Sequence, residues 1–390
     1  MNLTGIQSEL RAAKIDGWLF YDHHHRDPIA ARILSMNNGM NTRRWFYLVP
    51  AKGEPRKLVH RIESGALDHL PGKKVIYSGR EELVAGLKKI LAGAPKLAMQ
   101  YSPRNDIFTI SLVDAGTIEL VRGLKHKVVT SADLIQKFDA SWTPEQEEMH
   151  RAAGRLVDQI TQGAFRRAAD AVRAKKPLTE FELVQWILGE FRAHGLETED
   201  GPNASVGPSS GDPHYEPRAE SSRPIREGDL LLLDIWAKLA RPDSVYYDIT
   251  WMGYLGAEVP SRYAKVFNVA RDARDAAVAF VLKNVRAGRE IAGFEVDRVA
   301  RGVIRKAGYA KNFIHRTGHS IGRDVHGAGA NMDDLEIHDV RRLLPHTCFS
   351  VEPGIYFPEF GVRTEVNVLV GEKDAGVTGA VQTEVLALLK

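Results

Sequence analysis

The chain has 390 residues, of which 44% are hydrophobic and 26% charged, with a formal net charge of +3. That length exceeds one ordinary core, so two domains are expected, and the composition is that of a soluble globular chain. The small net charge and the lack of a long basic run or basic-aromatic stripe exclude a global case for nucleic acid or an anionic membrane.

The opening MNLTGIQSELRAAK lacks the basic patch and apolar stretch of a secretory signal. No apolar run approaches the ~20 residues that span a bilayer; Leu230 to Leu233 and Ala276 to Leu282 suit a globular interior. A lone cysteine, Cys348, cannot form an internal disulfide, which points to a reducing, cytoplasmic setting. It reads as a buried strand residue, since nothing nearby suggests a base that would make it a nucleophile.

Residues 1–140 alternate short apolar runs with amphipathic stretches, the α/β pattern. Strands are expected at Gly17 to Tyr21, Arg44 to Val49, Arg56 to His60, Lys74 to Tyr77, Lys96 to Tyr101 and Lys127 to Val129. Helices are expected at Thr4 to Lys14, Glu81 to Ala92 and Ser131 to Phe138, with Thr4 and Ser131 as N-caps. The charged stretch Arg26 to Arg43 shows no period and reads as a long surface loop. His23-His24-His25 reads as a loop after the first strand, because adjacent strand side chains point to opposite faces and chelate poorly together.

A boundary falls near Ala140-Ser141-Trp142-Thr143-Pro144. Thr143 is a good N-cap and Pro144 suits the first helical turn. Residues 141–390 carry helical patterns from Pro144 to about Val172, from Thr179 to His194-Gly195, and over Ser261 to Val285 and Phe294 to Ala307. Asp229 to Lys238 and Val245 to Tyr254 read as paired strands, as do Phe349 to Phe357 and Val362 to Leu369. Val381 to Leu389 reads as a further strand. Helices outside and antiparallel hairpins inside make this second domain α+β. Trp45, Trp236 and Trp251 are flanked by apolar residues and read as core.

Four acids stand within these apolar strands: Asp234 after Leu230-Leu231-Leu232-Leu233, Asp248, Glu352 and Glu365. Burying them costs free energy without compensation, and no lysine stands in the strand cores to offset all four. Protonation, exposure and metal binding are the options, and metal binding explains the set best. Two divalent cations would balance four carboxylates, and a bridging hydroxide would add a nucleophile. Hairpins bring Asp234 near Asp248 and Glu352 near Glu365, since paired strands lie ~5 Å apart. One imidazole would complete a site suited to manganese, cobalt, zinc or iron. His319, set among glycines in His315-Arg316-Thr317-Gly318-His319-Ser320-Ile321-Gly322, is assigned to the metal, and His326 to the substrate side.

The sequence resembles the pita-bread metallopeptidases: prolidase (Xaa-Pro dipeptidase), aminopeptidase P and, more distantly, methionine aminopeptidase and creatinase. The matching stretches are Glu227 to Asp234, Tyr247-Asp248-Ile249-Thr250, Thr317-Gly318-His319 with Ile321-Gly322, Val351-Glu352-Pro353-Gly354-Ile355-Tyr356 and Gly361-Val362-Arg363-Thr364-Glu365. Gly211-Asp212-Pro213-His214-Tyr215 is similar to the family's substrate-histidine loop. The resemblance implies a pita-bread catalytic domain over 141–390 behind a creatinase-like α/β domain over 1–140. It implies hydrolysis of the bond before proline in short peptides, two divalent metals with manganese first among them, and a homodimer.

By the same resemblance, Asp234 and Asp248 chelate one metal, Asp248 and Glu365 bridge, and His319 with Glu352 completes the other. Glu352 accepts the proton, and His326 and His214 hold the substrate and stabilise the tetrahedral intermediate. Arg363 orients Glu365 and counts with the substrate-binding residues. The His23-His24-His25 loop would reach a neighbouring subunit's site. Three departures stand out: the Asp234 to Asp248 spacing is longer than usual, Ser320 replaces a glycine, and Gly327 replaces an acid. His338 takes the place where many prolidases put a carboxylate-holding arginine. Aminopeptidase P action on longer peptides is the runner-up, ahead of metal-free creatinase-like hydrolysis and a non-catalytic binding module.

Overall fold

In the computed structural model, which describes residues 1–36 and 39–390, the chain separates into two units, Met1–Asp139 and Ala140–Lys390. The first unit builds a sheet from β1 (Gly17–Asp22), β2 (Trp45–Pro50), β3 (Arg56–His60), β4 (Lys73–Tyr77), β5 (Lys96–Met99) and β6 (Lys127–Thr130). Their order is β4-β3-β2-β1-β5-β6. The β1/β2 and β2/β3 pairs are antiparallel and the other three parallel. Strands β1 and β2 are buried throughout, as continuous apolar runs covered on both faces should be. Helices α1 (Leu3–Ala12), α2 (Pro28–Leu34), α3 (Arg80–Leu91), α4 (Ala115–Gly123) and α5 (Ala132–Ile135) complete the unit.

Several expectations need correction here. Helix α1 is capped by Asn2, whose side chain accepts from Gly5 N at 2.9 Å, so Thr4 lies inside the helix. Ser131 stands at the cap position of α5, but its hydroxyl bonds nothing; Thr130 Oγ1 accepts from Ala132 N instead. The stretch expected as one long loop contains α2, because Asp27 accepts from Ala30 N at 2.7 Å and Pro28 opens the first turn. Residues 37 and 38 of that stretch lie outside the described residues.

The second unit opens with α6 (Pro144–Arg173), where Thr143 and Gln146 form a reciprocal capping box. Thr179 and Glu182 do the same for α7 (Glu180–Ala193). Strands β7 (Leu196–Glu197), β8 (Asn203–Val206), β9 (Leu230–Leu239) and β10 (Tyr247–Tyr254) follow, then α8 (Ser261–Arg286) and α9 (Gly293–Lys306). The rest of the chain adds β11 (Ser320–Ile321), β12 (Cys348–Val351), β13 (Gly354–Tyr356), β14 (Gly361–Arg363), β15 (Val366–Val370), β16 (Ala375–Thr378) and β17 (Leu386–Ala387). One sheet runs β17-β10-β9-β7 with β8 also on β9, another runs β11-β12-β15-β16, and β13 pairs β14.

The strand expected over Val381 to Leu389 shrinks to β17, two residues beside the end of β10. The hairpin expected over Phe349 to Leu369 is two ladders in one continuous register, Val351 opposite Val366 and Gly354 opposite Arg363. Pro353 has no N–H to donate, and the break it makes leaves Glu352 and Glu365 facing each other in the gap. The long β9 to β10 connection enlarges the turn without moving the acids off their shared face. Trp45 and Trp251 are buried, and Trp236 is partly so, packed beside Val245 and Tyr246. Cys348 is buried in β12, and burial pushes its thiol well above the usual range. Among the described residues no helix is long and apolar enough to cross a membrane.

Candidate metal centre

Register places the first two acids. Asp234 lies opposite Thr250 and Asp248 opposite Trp236, so the acids sit two residues apart along the ladder and share a face. Asn367 on β15 fixes the backbone of Asp248, donating to its carbonyl at 2.7 Å and accepting from its N–H at 3.3 Å. Glu365 N donates to Thr250 O at 3.2 Å, which ties the second ladder to the first.

His319 enters from the segment before β11. Ser350 N donates to His319 O at 2.8 Å, and His319 N to Ser350 Oγ at 3.0 Å. The ring's Nδ1 lies 3.1 Å from Ser320 O; a carbonyl only accepts, so Nδ1 carries the proton and Nε2 is bare. That bare nitrogen faces Asp248 Oδ2 at 3.5 Å and Glu352 Oε1 at 3.4 Å. Donor atoms of Asp248, His319 and Glu365, all buried, lie within 4.8 Å of one another.

One imidazole lone pair and two carboxylate oxygens converging without a proton between them repel. Asp248 Oδ1 and Glu365 Oε1 are also buried without any hydrogen-bond partner. Burial first, then Asp234 and Glu352, drive the Asp248 carboxyl well above its usual range. Burial and then Asp248 do the same to Glu365. Glu352 is pushed up to about 7 by burial, against the pull of Arg363. Burial, then His326, drives the His319 imidazole well below its usual range, so it stays neutral. Four carboxyls reluctant to ionise and one bare imidazole nitrogen fit divalent cations, which reverse each of these penalties.

Asp234 is not in that group of three, and Arg363 Nη2 pairs with its Oδ2. Arg363 was expected to orient Glu365; its Nε instead donates to Thr250 Oγ1 at 2.9 Å, and that hydroxyl donates to Glu365 Oε2 at 2.7 Å. The orientation of Glu365 is therefore set through Thr250. Tyr356 Oη accepts from Arg363 Nη1 at 3.2 Å and donates to His315 Nε2 at 2.9 Å. Thr250, Ser350, Asn367, Tyr356 and His315 were not singled out as site residues. Thr250, Ser350 and Asn367 each stand two residues from one of the acids, which is the signal that could have found them.

The His326 ring meets the His319 ring edge-on at 4.3 Å between centroids. His214 lies on an exposed loop, and its charge acts on Asp234 and His326. The next residue braces that loop: Tyr215 Oη donates to the fully buried Glu180 at 2.6 Å, and Asn203, directly opposite Asp234, donates to Tyr215 O at 2.8 Å. His338 bonds Asp334 at 2.6 Å and packs at a tilt against the Phe294 ring. His24 and His25 adopt positive φ in the first unit, and His25 bonds Gly39 O at 3.0 Å.

The Ser320 and Gly327 departures belong together. Ser320 Oγ accepts from Gly329 N at 3.0 Å, and a Cβ added at Gly327 would lie 2.9 Å from that oxygen. Gly327→Ala is expected to cost about 1–3 kcal/mol by overpacking. The cost should fall by roughly half a kcal/mol or more when Ser320→Gly is also present. Denaturant midpoints of the two single variants and the double variant measure this coupling, and strictly additive values would refute it.

The model of metallopeptidase family M24 matches residues 148–372. The probable dipeptidase PepE of Mycobacterium tuberculosis is 27% identical over 334 residues, covering 84% of this chain and 81% of that protein. The Xaa-Pro dipeptidase of Lactobacillus helveticus is 30% identical over 240 residues, covering 60% of this chain and 58% of that one. The crystal structure of dipeptidase PepE from Mycobacterium ulcerans superposes with a TM-score of 0.75 at 23% identity, covering 99% of this chain and 97% of that chain. The fold is accordingly the pita-bread fold of prolidases and aminopeptidases P.

Proposed function

The chain belongs to metallopeptidase family M24, and from that premise we propose that it is an Xaa-Pro dipeptidase using two divalent cations, manganese first among them. The observation that carries the reading is the pair of unpartnered buried oxygens, Asp248 Oδ1 and Glu365 Oε1, beside the bare Nε2 of His319. Asp234, Asp248, His319, Glu352 and Glu365 would hold the cations. The names borne by the Mycobacterium and Lactobacillus relatives support the substrate class. The buried lone cysteine supports a cytoplasmic setting.

When bound, the cations supply a Lewis acid for the carbonyl and a water made acidic enough to attack at neutral pH. The chain's own groups do the rest. Glu352 Oε2, the oxygen that Ser350 does not bond, takes the proton released as water adds to the peptide carbon, then delivers it to the departing proline nitrogen. His326 and His214 donate to the carbonyl oxygen as negative charge develops on it. Arg363, anchored by Tyr356, holds Asp234 and Thr250 in place.

A chain stripped of metal by a chelator is expected to lose cleavage of Ala-Pro and to regain it on reloading with manganese. Activity that survives chelation intact would defeat the reading. A strong preference for Ala-Pro-Ala over Ala-Pro would move it to aminopeptidase P.

A further inference from the structure

We propose that Arg316 grips the C-terminal carboxylate of a bound dipeptide and thereby makes the chain select dipeptides over longer peptides. This rests on the peptidase reading above and adds the residue that sets substrate length.

The arginines of the second unit that are not at its surface are, with one exception, paired. Arg271, Arg274, Arg301, Arg323, Arg341 and Arg363 each hold a carboxylate. Arg316 is half-buried, and its guanidinium makes no hydrogen bond, ion pair or ring contact among the described residues. A guanidinium withdrawn from water without an anion is costly, and a ligand carboxylate removes that cost.

The backbone puts this cation beside the centre. Glu352 N donates to Thr317 O at 2.7 Å, so the segment carrying Arg316 runs alongside Glu352, and His319 lies three residues on. The hydroxyl of Thr317 turns to Asp297 on α9 at 2.8 Å. The charge of Arg316 is felt at Glu352, His319 and His326. The acids it reaches electrostatically have other partners. Glu352 accepts from Ser350 Oγ at 3.2 Å, and Asp333 accepts three backbone N–H groups, from Leu335, Glu336 and Ile337. His338, which stands where many prolidases put a carboxylate-holding arginine, is exposed and committed to Asp334.

An Xaa-Pro dipeptide carries its carboxylate one residue past the bond to be cut. A planar guanidinium binds that group through two parallel N–H donors. A longer peptide offers a neutral amide at the same place and leaves the guanidinium unpaired, so selection works by charge.

The test compares Ala-Pro with Ala-Pro-amide for the manganese-loaded full chain and its Arg316→Met and Arg316→Lys variants, with bound metal per chain measured in each. For Arg316→Met, KM for Ala-Pro is expected to rise about 10-fold or more, while KM for the amide stays within about 2-fold. Arg316→Lys should retain part of the discrimination, and metal content should not change. Equal losses on the two peptides, no loss on either, or a fall in metal content would overturn the assignment of Arg316 alone. A parent chain that cuts neither peptide would overturn the peptidase reading and the carboxylate grip with it.

Discussion

Replacing Asp248 with asparagine should strip the centre of metal and lower kcat/KM by a factor on the order of 10³ or more, above the 10–100-fold that changes around metal ligands typically cost. Asp248 is buried, its Oδ1 has no partner, and its Oδ2 faces His319 Nε2 at 3.5 Å. An amide keeps the shape but brings no charge to a cation. The same change has the opposite effect on the empty pocket. Burial and two neighbouring acids already oppose ionisation of Asp248, so removing its charge relieves Asp234 and Glu352. The metal-free variant should therefore melt above the metal-free parent, by roughly 2–4 °C per 1 kcal/mol relieved for a unit of this size. Glu365→Gln should behave alike, since its Oε1 is equally unpartnered. Elemental analysis and melting curves with and without chelator check both halves. Normal metal content in both variants would sink the assignment.

The sequence exposed the acids because a carboxylate on an apolar strand contradicts its own surroundings, and contradiction of that kind is local. Capping is local too, which is why Thr143 and Thr179 could be read directly. What stayed hidden depends on register and on contacts between distant segments. Thr250 matters because it stands opposite Asp234 and its hydroxyl reaches Glu365, a relation set by two separate ladders. The partner of Arg363 was misread for the same reason. Two residues from Glu365 in sequence, its guanidinium reaches Asp234 on another strand. Helix α4 escaped notice although Asp114 caps it at Thr117 N, because its apolar positions are few and short helices carry little periodic signal. Arg316 could not be singled out by sequence at all. Arginines are ordinary, and its lack of a partner appears only when every neighbour is placed.

The pH dependence of stability should separate the metal-free chain from the loaded one. Glu352 has its folded value pushed up from 4.5 to about 7. A raised carboxyl contributes stability that is complete below its unfolded value and is lost as pH climbs through the folded one. Asp248 and Glu365 are raised further and extend the loss upward. Buried histidines work the other way: His150 is pushed down to about 4 and His315 to about 3, so each adds stability as pH rises to the ordinary 6.5. Below about 6.5 the two trends oppose each other; above it these two histidines are neutral in both states and the raised carboxyls of the pocket set its slope. The metal-free melting temperature should thus fall from about pH 6.5 towards 8. Cations bind the ionised carboxylates, so their stabilisation grows over the same interval, reaching about 2.7 kcal/mol per cation at a hundredfold excess over Kd. His346, raised by Glu147 and Glu372 on the surface, shifts both curves together and drops out of the difference. The gap between loaded and chelated melting temperatures should widen steadily between pH 6 and pH 8. Parallel curves would mean that the acids of the pocket do not titrate against the cations, and the charge balance argued for this site would be wrong.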